Sequence, residues 1–241
     1  MKPFISVCIL SYNRPKGIVR LLNTVDHSIN TEIIISDDCS PKVLEIENEI
    51  YKFNKKHKFH IKFYKNSKNL GYDKNLNKLI EKANGEWIVF MGDDDEFVKG
   101  SLEKVQIYLK KNKHLSYVLK SHYLIHENGY KEKFKYYKTS KIFQPGMSSM
   151  IELFRKSVYI AGFMIKREKI VNLLTDQFDG SMLNQIYYMS EVALSSKTAY
   201  LDLPFTQQYK SHEHNKQDFM YDRKNKIFVK REPTIEISVN F

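Results

Sequence analysis

The stretch WIVFMGDDDEF, residues 87–97, decides the fold. Its first five residues, 87–91, are apolar, too few for an interior helix, and followed by Gly92. They predict a strand that is buried on both faces of a parallel sheet. The acidic residues 93–96 come next. The strand therefore carries a cluster of carboxylates at its C-terminal end, which is where open α/β sheets bind their ligands.

The acidic cluster is a candidate metal site. Three adjacent aspartates raise one another's pKa unless a cation lies among them. Hard carboxylate oxygens suit Mg²⁺ or Mn²⁺, which complete their shells with water and substrate phosphates. An isolated Asp-Asp-Asp is more often a solvated turn before a helix. The chain around residues 93–95 favours the metal site.

Three more strand-loop-helix units precede this strand. The four predicted strands begin at residues 4, 32, 60 and 87, a spacing of just under 30 residues. Such a repeat predicts right-handed crossovers and an α/β fold with a Rossmann-like, mostly parallel sheet flanked by helices. The second strand also ends in acid, at Asp37 and Asp38. The glycine fingerprints of dinucleotide and P-loop sites are absent from this half, so side chains must hold any nucleotide.

The pattern is weaker beyond residue 97. It predicts helices near residues 102–109, 150–154 and 181–195, extended segments at 115–126, 161–165 and 198–203, and a hairpin partner at 131–137. From residue 209 onward the chain is polar and basic.

Composition limits the class of partner. The 241 residues are 42% hydrophobic and carry a net charge of +11, which favours an anionic partner such as nucleic acid, nucleotide phosphates or a membrane surface. Cys8 and Cys39 lie in or beside predicted strands and are interpreted as reduced core thiols of a cytosolic protein. No apolar run approaches the roughly 20 residues of a membrane helix. The expected protein is therefore soluble or peripheral.

Four segments resemble a known family. They are SVCILSYNRP at 6–15, IIISDDCSP at 33–41, NLGYDKNLNKLIEKANGEW at 69–87 and IVFMGDDDEF at 88–97. Together they resemble the inverting family 2 glycosyltransferases of GT-A fold. The forms NLGYDKN and GDDD look most like those of bacterial sugar transferases that build lipopolysaccharide or capsule, abequosyltransferase-like enzymes among them. The resemblance is specific over residues 4–97 and thin over 98–241.

The resemblance implies a domain organisation and a donor site. Residues 1–97 would form the nucleotide-sugar-binding half of one domain, 98–208 its smaller acceptor-side half, and 209–241 a basic C-terminal tail. The positions that contact the nucleotide sugar in the family correspond to Ser11, Tyr12, Asn13, Asp37, Asp38, Lys74, Asn75, Asp93 and Asp94. The metal-binding D-x-D segment corresponds to residues 93–95. Asp93 and Asp95 are the expected ligands, with Asp95 preferred.

The expected catalytic base is where this sequence departs from the family. The usual Glu-Asp pair falls near Leu183 and Asn184, neither of which can accept a proton as a base. The nearest carboxylates are Asp179 and Glu191, which are the candidates, although a turn former and a solvated helix residue are alternative interpretations. His212 is a candidate third group at the metal or pyrophosphate, and His214 is the alternative.

The resemblance also implies the reaction and its partners. The implied reaction is transfer of a sugar, with inversion at the anomeric carbon and assisted by Mn²⁺ or Mg²⁺. The implied partners are a nucleotide-sugar donor and a saccharide or lipid-linked glycan acceptor. The expected location is the cytoplasm, with contact at the inner face of the membrane left open.

Two other functions fit less well. A nucleotidyltransferase on a related fold would need a glycine-rich basic loop near the N-terminus, which residues 11–16 do not supply. A nucleic-acid-binding module would explain the charge, but the chain has no helix-turn-helix, zinc or RNA-binding signature. We therefore expect no nucleic-acid partner.

Overall fold

The computed structural model describes residues 2–26, 30–57 and 60–209, together with the strands Phe219–Asp222 and Ile227–Lys230. Most of the predicted basic tail, including His212 and His214, lies outside the described residues. In the described part of the chain, no helix combines the length and the apolar character that crossing a bilayer requires.

The described elements are twelve strands, six α-helices and two single-turn 3-10 helices at Arg155–Ser157 and Arg167–Lys169. The strands are β1 (Ile5–Ser11), β2 (Thr31–Asp37), β3 (Lys62–Lys65), β4 (Trp87–Gly92), β5 (Glu96–Phe97), β6 (Leu115–Ile125), β7 (Lys131–Phe134), β8 (Lys141–Phe143), β9 (Phe163–Lys166), β10 (Lys197–Tyr209), β11 (Phe219–Asp222) and β12 (Ile227–Lys230). The helices are α1 (Pro15–Leu22), α2 (Val43–His57), α3 (Tyr72–Lys82), α4 (Ser101–Lys111), α5 (Met147–Phe154) and α6 (Asn184–Ser195).

Ten of the strands form one sheet, which confirms the predicted α/β class. Its order is β3-β2-β1-β4-β9-β6-β10-β5, with β7 added to β6 and β8 added to β10. The first four strands along this order are parallel, as the repeated β-α unit predicts. From β9 onward the pairing is mixed, because β9 is antiparallel to both β4 and β6 while β6 and β10 are parallel. β11 and β12 form a separate antiparallel pair.

Helices cover both faces of the sheet. Val7 and Ile9 point into the cluster that holds α1, α2 and α4, whereas Cys8 and Leu10 point into the cluster that holds α3, α5 and α6. This alternation explains why β1 is apolar at nearly every position. Cys8 is a buried thiol as expected, but the interpretation of Cys39 as a core thiol is wrong. Cys39 is exposed and has a φ of 62°, whereas its neighbours Asp38 and Ser40 are buried, so only the Cys39 side chain points to the surface.

Two elements of the second half differ from their predicted limits. The strand predicted at 198–203 continues to residue 209, because register shifts on either side of Pro204 accommodate a residue that cannot donate a ladder hydrogen bond. The helix predicted from residue 181 begins only at Asn184, because the preceding backbone is held by a carboxylate of α3.

Candidate active site

The C-terminal ends of β1, β2 and β4 meet at one edge of the sheet. Ser11 pairs with Asp37 across β1 and β2, and Leu10 pairs with Gly92 across β1 and β4. Since the three strands are parallel, the loops that follow them all lie at this edge. The acidic residues after β2 and β4 are therefore neighbours of the loop after β1.

Asp93 ties the acidic loop to the loop after β1. One carboxylate oxygen accepts a hydrogen bond from Arg14 Nη1 at 2.7 Å, and the other accepts one from the backbone N–H of Tyr12 at 2.8 Å. The side chain is 2% exposed, and burial raises its pKa to about 6 although Arg14 opposes that shift. Arg14 Nη2 also lies 3.6 Å from Asp94. Asp93 thus uses both oxygens within the protein and fixes the acidic loop.

Helix α1 lies directly against the backbone of the acidic loop. At Gly17 in this helix, an added Cβ would overlap the carbonyl oxygen of Asp93 and lie 3.2 Å from its carbonyl carbon. The close approach therefore requires glycine at this position. The helix therefore packs directly on the loop after β4.

Asp95 faces a buried cation from the second half of the chain. One of its oxygens accepts a hydrogen bond from Tyr159 Oη at 2.7 Å. Lys120 on β6 is 3% exposed, donates to Thr206 Oγ1 at 3.1 Å, and its Nζ lies 4.5 Å from the centre of the Tyr159 ring. Burial raises the pKa of Asp95 to about 7 and lowers that of Lys120 to about 7. The charge of each group partly offsets the desolvation of the other.

The donor set of the acidic loop fits Mg²⁺ or Mn²⁺. A Cβ placed on Gly92 would lie 2.8 Å from Asp94 Oδ1 and 3.7 Å from Asp95 Oδ2, so these two oxygens face the same side of the backbone. Among the described residues, no group of three or more acidic, histidine or cysteine side chains could hold a metal. Mg²⁺ and Mn²⁺ are often bound by only one or two carboxylates of the protein, with phosphate oxygens and water as the remaining ligands.

Asp37 and Asp38 organise the loops around the end of β2. Asp37 is fully buried, accepts the Ser40 N–H at 2.9 Å and also accepts from the Ser40 hydroxyl. Asp38 accepts from the N–H groups of Leu70 at 2.8 Å and Gly71 at 2.9 Å. Burial raises the pKa of both carboxyls above the ordinary value. The loop before α3 is thereby anchored to β2.

Asn13 presents a buried oxygen without a protein donor. Its φ is 60°, and its backbone N–H donates to Ser40 Oγ at 2.8 Å. Within the described part of the chain, its Oδ1 is buried and accepts no hydrogen bond. A buried acceptor of this kind needs a partner. Asn13 is therefore the strongest candidate in this loop for contact with a bound molecule.

The N-terminal turn of α3 fixes the loop before α6. The Asp73 carboxylate accepts the N–H groups of Gly180 at 2.8 Å, Met182 at 2.9 Å and Asn184 at 3.2 Å. Lys74 Nζ lies 3.3 Å from Asp179 Oδ2, and Asp179 Oδ1 is a buried oxygen without a hydrogen-bond partner among the described residues. Asn75 donates to the Ser36 carbonyl at 3.0 Å. These contacts bring Asp179 to the same edge as the acidic loops.

Glu191 does not join this group. It lies seven residues into α6, roughly 10 Å along the helix from Asn184. Its side chain is half-buried. The two candidate carboxylates therefore lie in different places. Asp179 is beside α3, whereas Glu191 is about two helical turns beyond the start of α6.

Sequence reasoning missed four residues of the site. Arg14 and Asp73 stand inside the quoted segments 6–15 and 69–87, so the signal was present but carried no assigned role. Lys120 and Tyr159 gave no signal, because a lysine within an apolar run and a tyrosine before a strand both occur without function. Only the pairing of β6 with β9 and β10 brings Lys120 beneath the acidic loop.

Comparison with known proteins identifies the family of the chain. The model of the family described as glycosyl transferase family 2 matches residues 6–174. Abequosyltransferase RfbV of Salmonella typhimurium is 36% identical over 109 residues, which are 44% of this chain and 32% of that protein. An uncharacterized glycosyltransferase of Methanocaldococcus jannaschii is 29% identical over 153 residues, covering 59% of this chain and 51% of that protein. The chain thus spans about a third to a half of these relatives.

Solved structures share the fold at low identity. Staphylococcus aureus TarS 1-349 in complex with UDP-GlcNAc superposes with a TM-score of 0.66 at 19% identity, over 90% of this chain and 61% of that one. GalNAc-T7 with UDP, GalNAc and Mn²⁺ superposes with a TM-score of 0.62 at 15% identity, over 88% of this chain and 45% of that one. These likenesses establish the fold.

Proposed function

The chain belongs to glycosyl transferase family 2, and from this membership we propose that it moves a sugar from a nucleotide sugar to a saccharide acceptor, with inversion at the anomeric carbon. One observation carries the proposal. The loops after β1, β2 and β4 meet the loop before α6 at a single sheet edge, so groups for the donor and a carboxylate for the acceptor lie together.

The donor side supports binding of a nucleotide diphosphate. Asn13 offers a buried oxygen to the nucleotide, while Ser11, Tyr12, Asp37 and Asp38 shape the surrounding loops. A divalent cation held by Asp94 and Asp95, Mn²⁺ or Mg²⁺, would supply Lewis-acid charge to the diphosphate that leaves. The relative of this fold that was solved with UDP, GalNAc and Mn²⁺ supports this choice of ion.

Arg14 has a positioning role in this proposal. The bond that breaks joins the anomeric carbon to the diphosphate, and negative charge grows on the diphosphate oxygens. Arg14 holds Asp93 at 2.7 Å and faces Asp94 at 3.6 Å. It thereby keeps the acidic loop in place and adds positive charge next to the developing anion.

Asp179 is the proposed general base. It accepts the proton of the acceptor hydroxyl as the oxygen of that hydroxyl attacks the anomeric carbon, and general base catalysis of this kind typically contributes about 10²- to 10⁴-fold. Among the described residues its buried Oδ1 has no hydrogen-bond partner, and this, together with its place before α6, favours it over Glu191. Lys74 Nζ lies 3.3 Å from Asp179 Oδ2 and orients the carboxylate, which leaves Oδ1 for the acceptor.

The biological role proposed is assembly of a bacterial surface polysaccharide, lipopolysaccharide or capsule. The name of the abequosyltransferase relative supports this role. A lipid-linked acceptor would place the reaction at the inner face of the cytoplasmic membrane. The net charge of +11 favours contact with that anionic surface.

Calorimetry with a panel of nucleoside diphosphates, triphosphates and nucleotide sugars tests the proposal. We expect diphosphate binding that requires Mn²⁺ or Mg²⁺ and is lost in Asp95→Asn. Asp179→Asn should keep this binding but lose sugar transfer, while the control Glu191→Gln keeps both. A preference for triphosphates would favour a nucleotidyltransferase. Absence of nucleotide binding to folded protein under every metal condition would overturn the proposal.

A further inference from the structure

A cavity of about 400 Å³ lies beside the acidic loop on the acceptor side. Three tyrosines line it, Tyr72, Tyr136 and Tyr159, together with Arg155, Lys156 and Gln185. Tyr159 connects the two places, because it lines the cavity while its hydroxyl donates to Asp95 at 2.7 Å. A molecule in the cavity would therefore contact a side chain that is hydrogen-bonded to the acidic loop.

The cavity is built mainly by the second half of the chain. Gln185 of α6 donates to the Val158 carbonyl at 3.0 Å and accepts from Tyr72 Oη at 3.1 Å. Met182, on the loop that also carries Asp179, lines the cavity as well. The cavity and the proposed base thus share one loop, which Asp73 fixes to α3.

The aromatic walls suit a saccharide. Each tyrosine presents an apolar ring with a polar tip, so it can pack against the C–H face of a sugar while its hydroxyl oxygen accepts a hydrogen bond from a sugar hydroxyl. Gln185 adds an amide that is already oriented by two hydrogen bonds. A few placed polar groups among aromatic walls are typical of sites for small molecules.

The charge of the cavity points to an anion. Arg155 and Lys156 both line it, and none of the described residues that line it is acidic. Lys156 is engaged by Glu152, with Nζ 2.7 Å from the Glu152 carbonyl and 3.6 Å from the carboxylate. Arg155 is exposed and has no carboxylate within ion-pair distance among the described residues. Its guanidinium is thus open to a ligand, and its planar fork matches a carboxylate or a phosphate.

We propose that this cavity is a binding site for an acceptor saccharide that carries a negative charge, held by Arg155. The tyrosines bind the sugar ring, and Arg155 binds a carboxylate or phosphate on that ring or on its neighbour. The inference rests on the proposed glycosyl transfer, since it names the class of acceptor that the same site would take.

Ligand-observed NMR titrations test the proposal, with the whole protein in the presence and absence of the preferred nucleotide. The probes are methyl glucuronide and methyl galacturonide, their neutral methyl glucoside and galactoside counterparts, and glucose 6-phosphate. We compare wild type with Arg155→Gln. Lys104→Gln is the matched control, because Lys104 is an exposed cation on α4, on the opposite face of the sheet.

In wild type, at least one charged probe should bind about tenfold more tightly than its neutral counterpart, the usual size of a charge-assisted contact. Arg155→Gln should bring that ratio near one, whereas Lys104→Gln should preserve it. Comparing the glucuronide with the phosphate identifies which anion is preferred. Equal affinity for charged and neutral probes, or no binding of any charged probe, would overturn the inference.

The same samples separate this inference from the proposed function. If nucleotide binds with metal but the charge preference is missing, only the acceptor class is wrong. If nucleotide fails to bind while a charge preference depends on Arg155, the cavity is a saccharide site and the transferase proposal fails.

Discussion

The substitution Gly17→Ala tests whether α1 and the acidic loop are packed as one unit. In a helix interior, alanine is favoured over glycine by about 1 kcal/mol. On helix propensity alone, the substitution should therefore stabilise the protein. The structure gives the opposite sign, because the new Cβ would overlap the Asp93 carbonyl oxygen.

The expected magnitude follows from that overlap. The carbonyl oxygen and the new methyl group must separate by about 1.3 Å to reach ordinary contact at about 3.4 Å. Overpacking of this kind costs typically 1–3 kcal/mol, so the net loss in the free energy of unfolding is about 1 kcal/mol after the helix gain. For a domain of this size that lowers Tm by about 2–4 °C. Displacing Asp93 also moves Asp94 and Asp95, so metal-dependent nucleotide affinity should fall at least about tenfold.

Thermal unfolding and nucleotide calorimetry measure the two effects on the same protein. Lys16→Ala is the control, since Lys16 is the exposed preceding residue of α1. It should leave nucleotide affinity unchanged. A higher Tm for Gly17→Ala with unchanged nucleotide affinity would refute the close packing of α1 on the loop.

Three further predictions concern the charges of the site. Arg14→Gln should reduce nucleotide affinity at pH 7 by about tenfold, because the pKa of Asp93 rises further once its partner is lost. Arg20→Gln is the control, since it removes an ion pair with Glu96 instead. It should change nucleotide affinity less than about twofold. Since the pKa of Asp95 is raised to about 7, its carboxyl is protonated below that pH and must release a proton to bind a cation. Calorimetry in buffers of different ionisation enthalpy should therefore find that a proton is released when the divalent cation and nucleotide bind. The metal-dependent nucleotide affinity should fall about tenfold per pH unit below 7. An affinity that does not change between pH 5 and 8 would contradict this prediction. Asp73→Asn should lower the free energy of unfolding by about 1–3 kcal/mol, because three backbone N–H donors lose their carboxylate acceptor. Hydrogen exchange at the amides of residues 180, 182 and 184 should become faster. Unchanged exchange would show that other contacts hold the loop.

The repeated β-α unit made half of the fold predictable. Four strands with the same spacing place their C-terminal ends together, so the grouping of Ser11, Asp37 and the acidic loop follows from parallel topology alone. The expected GT-A fold and resemblance to family 2 glycosyltransferases are confirmed by the family match and by the solved structures of the same fold. The roles assigned to individual side chains remain predictions.

The rest of the fold and of the candidate site depends on contacts between residues that are far apart in sequence. Asp73 binds amides more than 100 residues away, and no periodicity in either segment signals that contact. The last strand predicted from the sequence ends at residue 203, before Pro204. In the structure, β10 continues past Pro204 through an irregular register that the sequence does not predict. The contact of Lys74 with Asp179 likewise joins segments that are far apart in sequence, so no local pattern predicts it.

The position of β9 has a consequence for synthesis of the chain. β4 pairs with β1 on one side and with β9 on the other, and β9 ends at residue 166. A nascent chain that has emerged only as far as the acidic loop can assemble its first four strands, yet one edge of the apolar strand Trp87–Gly92 has no neighbour. Such an edge is a template for aggregation. Ribosome-bound fragments that end between residues 97 and 160 should therefore need chaperone protection, which the arrival of β9 would end.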